Sequence, residues 1–231
     1  RPSFADVVAI DIASGKVVWR FEVEGYRADH MGLSPDGTKV AVSASTGNVV
    51  HVLDINTGKQ VGKFTSGNSP HENVFSKDGS KIYHASIGYV FTPLDPNFFD
   101  WTKGERVFQV VDAHNYQVIK KFNMADKLKA AGFKNLSPAV RPMAHTPDEK
   151  FFYFQLSFLH GFVEYDMVND KVTRLANLPN LVPNMPLEQY VNDSAHHGIS
   201  MNGAGTKLCV AGTMDNYVAI VDRANFGYQM L

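Results

Sequence analysis

Residues Ala28–Phe64 read ADHMGLSPDGTKVAVSASTGNVVHVLDINTGKQVGKF. A short run ends in the turn SPDG, the apolar run KVAVSAS follows, TGN turns the chain into VVHVLD, and the polar INTGK opens onto QVGKF. Turn residues at this spacing between β-branched runs predict four short antiparallel strands. The same pattern recurs from Pro70 (PHENVFSKDGSKIYHAS, resuming at RVFQVVDAHNYQVIKKF), from Arg141 (RPMAHTPDEKFFYFQLSFLHGFVEYDMVNDKVTRL) and from Ala195 (AHHGISMNGAGTKLCVAGTMDNYVAIVDRANF). Aligning the repeats places Ser34, Ser76, Thr146 and Ser200 at equivalent turns. Four strands per repeat of roughly forty residues predict an all-β chain whose repeats are the blades of a β-propeller, about four and a half of them.

The strand reading rests on period two. NVVHVLD, KLCV and YVAIVD are bounded by turn residues, and several runs are almost wholly apolar because both faces of a blade pack on neighbours. An aspartate closes each third strand, at Asp11, Asp54, Asp112, Asp166 and Asp222. Its recurrence predicts a turn-forming carboxylate that accepts backbone N–H bonds, since a catalytic group is needed once and not in every repeat.

Composition excludes several classes. A net charge of −1, with lysines and arginines scattered along the chain, supplies no basic surface for nucleic acid. The longest apolar runs, such as FFYFQLSFL from Phe151, fall short of a membrane span. Cys209 is the sole cysteine, so an internal disulfide and a cysteine-only metal site are both ruled out; within KLCVAG it reads as a small strand residue. The first residues match only the third and fourth strands of a blade, and the chain stops where a last fourth strand should run. The expectation is a single propeller domain over 1–231, truncated at both ends from a longer parent.

LSPDGTKVAVSASTGNVVHVLDINTGKQVGKF and HENVFSKDGSKIYHAS resemble the YVTN-type repeats of bacterial seven-bladed propellers, a group similar to the lactonase-type and amine-dehydrogenase heavy-chain propellers. The resemblance covers nearly the whole chain. It implies a seven-bladed ring and a periplasmic or secreted location, while the group holds enzymes, redox subunits and surface proteins alike. AIDIASGKVVW, from Ala9 to Trp19, also resembles the tryptophan-docking repeat of quinoprotein dehydrogenases. The other fourth strands lack that tryptophan, which disfavours pyrroloquinoline quinone (PQQ).

Departures from the repeat carry the functional signal. Long additions occupy 89–105, 121–140 and 176–194, all in connections that join strands two and three or lead into a first strand, and MADKLKAAGF within the second reads as a short amphipathic helix. These connections emerge at one end of a blade, called the top, so one face is elaborated. The histidines follow them. His30, His71, Glu72 and His196 fall at entries to first strands, with Arg141 and His197 at matching positions and His160 in the hairpin between strands two and three.

Three readings of this set compete. In the first, His30, His71, Glu72 and His196 hold a divalent transition metal (Zn, Fe, Cu or Ni), with His197, Arg141 and His160 as catalytic groups beside it. In the second the same side chains form a metal-free acid/base and anion-binding pocket, with Arg141 holding a carboxylate. In the third they are structural histidines that bond backbone and water. His145 can replace a neighbour if the register slips by one.

PLDPNFFDW places Phe98, Phe99 and Trp101 beside Asp95 and Asp100, either as an apolar wall over the mouth or as cover for blade edges or another subunit. The partner expected from the first use is a small organic molecule with an apolar or aromatic part; the second makes an oligomer an open alternative. No GxSxG, Walker, HExxH, dinucleotide or CxxCH motif is present, so neither a nucleotide nor a haem is expected. The function classes that stand are a top-face enzyme, metal-dependent or using histidine acid/base chemistry, and a non-catalytic propeller that binds a ligand or protein through the same face.

Overall fold

The computed structural model describes residues 5–90 and 101–231, so the segment carrying Asp95, Phe98, Phe99 and Asp100 lies outside the described residues. Two strands, β1 (Asp6–Ile10) and β2 (Val17–Glu22), form an antiparallel pair. Four antiparallel four-stranded blades follow. The first is β3 (Ala28–Leu33), β4 (Lys39–Ala44), β5 (Val49–Asp54) and β6 (Gln60–Thr65), and the second β7 (Pro70–Phe75), β8 (Lys81–Ser86), β9 (Phe108–Asp112) and β10 (Val118–Phe122). A seven-residue helix, α1 (Met124–Ala130), stands in the 121–140 addition, capped by Asn123 and burying Met124 and Leu128. The third blade is β11 (Val140–His145), β12 (Phe151–Leu156), β13 (Gly161–Asp166) and β14 (Lys171–Asn177). The fourth is β15 (Ile199–Met201), β16 (Lys207–Gly212), β17 (Tyr217–Asp222) and β18 (Tyr228–Met230). No helix among the described residues is long and apolar enough to cross a membrane.

The chain divides into two compact units, one of residues 1–88 and 105–122, the other of 89–104 and 123–231. In the first, Ala41, Val50, Val52, Phe64, Phe75, Ile82 and Val111 form a core between its two blades. Val7, Val23, Val40, Val42 and Leu53 form another between the β1–β2 pair and the first blade. In the second unit Tyr153, Phe162, Leu208, Val210, Tyr217 and Val221 fill the corresponding space. The alternating residues of adjacent sheets supply these cores, which is why the inner strands are almost continuously apolar.

Polar turns repeat as the sequence demands. Ser34 Oγ donates to Asp36 Oδ1 (2.6 Å) and accepts the Lys39 N–H (2.9 Å), and Ser76 with Asp78 and Thr146 with Asp148 do the same. Hydrogen bonds from Ser34 and Thr38 hold the exposed Asp36 carboxylate down to about 2. All five third-strand aspartates accept backbone N–H groups of the turn that follows, as at Asp54 from Thr57 (2.8 Å) and Asp222 from Ala224 (2.8 Å).

Two expectations are corrected. In the last blade the residue equivalent to Ser34 is Asn202 and not Ser200, because the Asn202 carboxamide accepts the N–H groups of Thr206 (2.8 Å) and Lys207 (2.9 Å) in place of a hydroxyl. The shift of two residues makes His197 the counterpart of His71 and moves His196 one place further out. A fourth strand also exists in that blade: Tyr228–Met230 pairs with β17.

Candidate functional site

In the first unit the ladder breaks at the positions the sequence singled out. The β3–β4 register shifts between Ala28 and Met31, and the β7–β8 register between Pro70 and Asn73. Asp29 and His30 therefore stand in one irregularity, and His71 and Glu72 in the other. Bulges of this kind release a side chain from strict alternation and re-aim it. Here they bring His30 Nδ1 to 2.7 Å from Glu72 Oε2, and stack the His30 and His71 rings with centroids 4.0 Å apart at 32°. Ligating nitrogens of the two imidazoles lie within 4.8 Å of each other. Asp29 Oδ1 is 3.9 Å from His30 Nε2, with Arg27 3.8 Å from the other Asp29 oxygen.

The close approach of β3 to β7 depends on Gly32. A Cβ there would fall well inside van der Waals contact of the Asn73 carbonyl oxygen. Beneath the bulges lies a buried polar network. Ser43 Oγ donates to the His71 carbonyl (2.9 Å) and accepts from Asn73 Nδ2 (2.8 Å). His84 Nδ1 faces the Glu72 carbonyl and Asn73 Oδ1, both at 2.9 Å, and its Nε2 faces Ser66 Oγ (2.6 Å). Two acceptors at Nδ1 fix the proton there, leaving Nε2 to accept from Ser66. Burial holds this imidazole neutral, its pKa pushed down to about 3. His71 is buried while His30 and Glu72 reach solvent, their side chains 29% and 14% exposed. Ser43→Ala is expected to cost about 1–3 kcal/mol by leaving the His71 carbonyl and Asn73 amide short of a partner, measured by urea denaturation against wild type.

The remaining predicted residues fall in the second unit. Arg141, in β11, is buried and its Nε donates to Ser157 Oγ (3.0 Å); Ser157 in turn helps line a cavity of about 200 Å³ with Asn135, Ser137, Phe158, Leu159 and Leu187. His197 donates its backbone N–H to Thr213 Oγ1 (2.9 Å). His145 donates from Nδ1 to the Thr146 carbonyl (2.8 Å) and packs on Phe152. His160 and His196 converge on Asp215, whose Oδ2 lies 2.7 Å from His160 Nδ1 and 3.1 Å from His196 Nε2. Asp215 Oδ1 accepts the Leu181 N–H (2.7 Å), and His160 Nε2 meets Tyr190 Oη (2.8 Å). Tyr217 Oη is 3.2 Å from His196 Nε2 and donates to the Pro179 carbonyl (3.0 Å). Burial pushes the His196 pKa down to about 4, against the opposing pull of Asp215.

Sequence reasoning missed Asp215, Tyr190 and Tyr217. A signal existed for the first of them: Asp215 is an aspartate of the fourth blade that does not occupy the recurring third-strand position.

No family model matches the sequence, and no curated protein matches it. Among solved structures, a dihydro-haem d1 dehydrogenase, NirN in complex with DHE, superposes with a TM-score of 0.60 at 16% identity, covering 99% of this chain and 41% of that one. The chain is a β-propeller. It spans about two fifths of that neighbour's length. The match to 1299 solved chains marks a widely used scaffold, so at this identity the likeness carries fold and no chemistry.

Proposed function

We propose that this propeller is an enzyme module whose reaction centre is built on His30, His71 and Glu72, which hold a divalent transition metal beside a position for a small organic substrate. The observation that carries the reading is the convergence of two imidazoles and a carboxylate at facing strand irregularities, with His30 Nδ1 2.7 Å from Glu72 Oε2. Nitrogen and carboxylate oxygen donors suit zinc, iron, copper or nickel. A metal of this class supplies Lewis acidity and a bound water of lowered pKa. The chain's own part is to orient: Ser43 and His84 hold the backbone carbonyls of His71 and Glu72, and Asn73 ties the two strands together. The partial exposure of His30 and Glu72 gives a ligand access. Kinship with the YVTN-type propellers belongs to the same proposal and rests on the repeat phrases alone.

Metal analysis of purified protein tests it. His71→Ala and His30→Ala are each expected to lower affinity for the bound metal at least about tenfold while leaving the far-ultraviolet spectrum unchanged. Metal retained at full stoichiometry by both variants overturns the metal reading. A wild type that binds no metal, yet whose ligand binding depends on the His30–Glu72 pair, leaves the acid/base or purely binding form of the site.

A further inference from the structure

We infer that His160, His196 and Asp215 form a separate, closed site for a divalent cation of the zinc class, one that clamps the 176–194 insertion onto the blades of the second unit. The ligating atoms of the three residues lie within 4.8 Å of one another. They come from three different connections: the hairpin before β13, the entry to β15 and the turn between β16 and β17. The insertion itself closes over them through Pro179, Leu181 and Tyr190.

The Asp215 side chain is fully buried, and its ionic partners among the described residues are the two imidazoles. A buried carboxylate is costly without a cation beside it. His196 is a second anomaly: it is fully buried, and its Nδ1 meets no hydrogen-bond partner among the described residues. An apolar ring would fill that space without stranding a nitrogen, so the imidazole is retained for what its Nε2 does.

Two of the surrounding contacts are those a metal site requires. Leu181 N–H fixes the free carboxylate oxygen, and Tyr190 Oη sits where it can accept a hydrogen bond from His160 Nε2–H when Nδ1 ligates. In the metal-free form His160 Nδ1–H and His196 Nε2–H both donate to Asp215. Binding would move the His160 proton to Nε2, facing Tyr190 Oη, and the His196 proton to Nδ1. The nitrogen–oxygen separations of 2.7 and 3.1 Å must widen to about 3.3 Å to admit a tetrahedral ion with bonds of about 2.0–2.1 Å. Tyr217 Oη, 3.2 Å from His196 Nε2, is a further oxygen beside the cluster. The His160, His196 and Asp215 side chains are 11%, 0% and 0% exposed beneath the insertion, in contrast to the solvent-reaching His30 and Glu72.

The test uses the His30→Ala/His71→Ala double variant, which removes the other proposed centre. Chelator-treated double variant titrated with zinc chloride is expected to take up about one equivalent and to raise its Tm by roughly 5–10 °C at a hundredfold excess over Kd. Cobalt(II) in place of zinc should give visible d–d absorption of low-symmetry N/O coordination. Both effects should vanish in Asp215→Asn and His160→Gln, two changes that keep side-chain size; wild-type titration supplies the readout if either fails to fold. The 176–194 segment should also become more resistant to protease when zinc is added. A double variant that binds no zinc and gains no Tm overturns the inference, as does uptake unchanged by Asp215→Asn. If the double variant and wild type hold the same single equivalent, this site stands and the His30–His71–Glu72 reading falls.

Discussion

Gly32→Ala is expected to separate β3 from β7 and dismantle the His30–Glu72 pair. The added methyl would overlap the Asn73 carbonyl oxygen, with the Asn73 carbonyl carbon and Cβ at 3.0 and 3.2 Å. Two of these atoms are backbone in a blade strand, so neither can rotate away and the strands themselves must move apart. Overpacking of this kind costs about 1–3 kcal/mol. The functional loss should exceed the stability loss, because a shift of about 1 Å takes a 2.7 Å contact out of hydrogen-bonding range. The expected result is a folded protein with a lowered urea midpoint and metal affinity reduced at least about tenfold. Gly203→Ala, where a Cβ meets nothing within 4 Å, serves as control and should stay within about 0.5 kcal/mol of wild type. Wild-type metal binding in Gly32→Ala would show that the approach of β3 to β7 does not position the site.

Acid should destabilise the metal-free protein well above the carboxylate range. His84 titrates at 6.5 in the unfolded chain and at about 3 when folded, because burial disfavours its charged form. His196 falls from 6.5 to about 4 for the same reason, opposed by Asp215. Both folded values are depressed, so each contribution is complete above pH 6.5 and is lost as pH falls, when the unfolded chain takes up protons that the folded one refuses. Each histidine then contributes a slope of about 1.4 kcal/mol per pH unit, together about 2.7, from near pH 6 down to pH 4. The turn aspartates act in the same direction but lower. Their folded values lie below 3.8, as at Asp36 and Asp54, so the stability they add begins to fade only below about pH 4. Urea titrations between pH 7.5 and 4.5 in the presence of chelator should give that slope, and His84→Gln should roughly halve it. A flat profile over this interval contradicts the assignment of neutral, buried imidazoles.

The sequence by itself determined the blades. Period-two runs, a Ser/Thr-x-Asp turn and an aspartate closing each third strand are local signals, set by backbone sterics and short-range hydrogen bonds, and they recur often enough to be read without any tertiary information. The misplaced turn was itself local: Asn202 performs through its carboxamide what Ser34 performs through a hydroxyl, while Ser200, two residues earlier, is a strand residue. The sequence also marked His30, His71 and Glu72, because they sit at equivalent strand entries in adjacent repeats. What it could not supply was the aim of these side chains. A bulge adds a residue to one strand relative to its partner, and whether it forms depends on the neighbouring strand's register and on the approach that Gly32 permits. Tyr190 and Tyr217 gave no local signal for the same reason, and Asp215, though out of the recurring third-strand position, gave no sign of its partners. They are 30 to 57 residues from His160 along the chain and meet it or His196 only in the folded unit, so their partnership is a property of packing that no local pattern encodes.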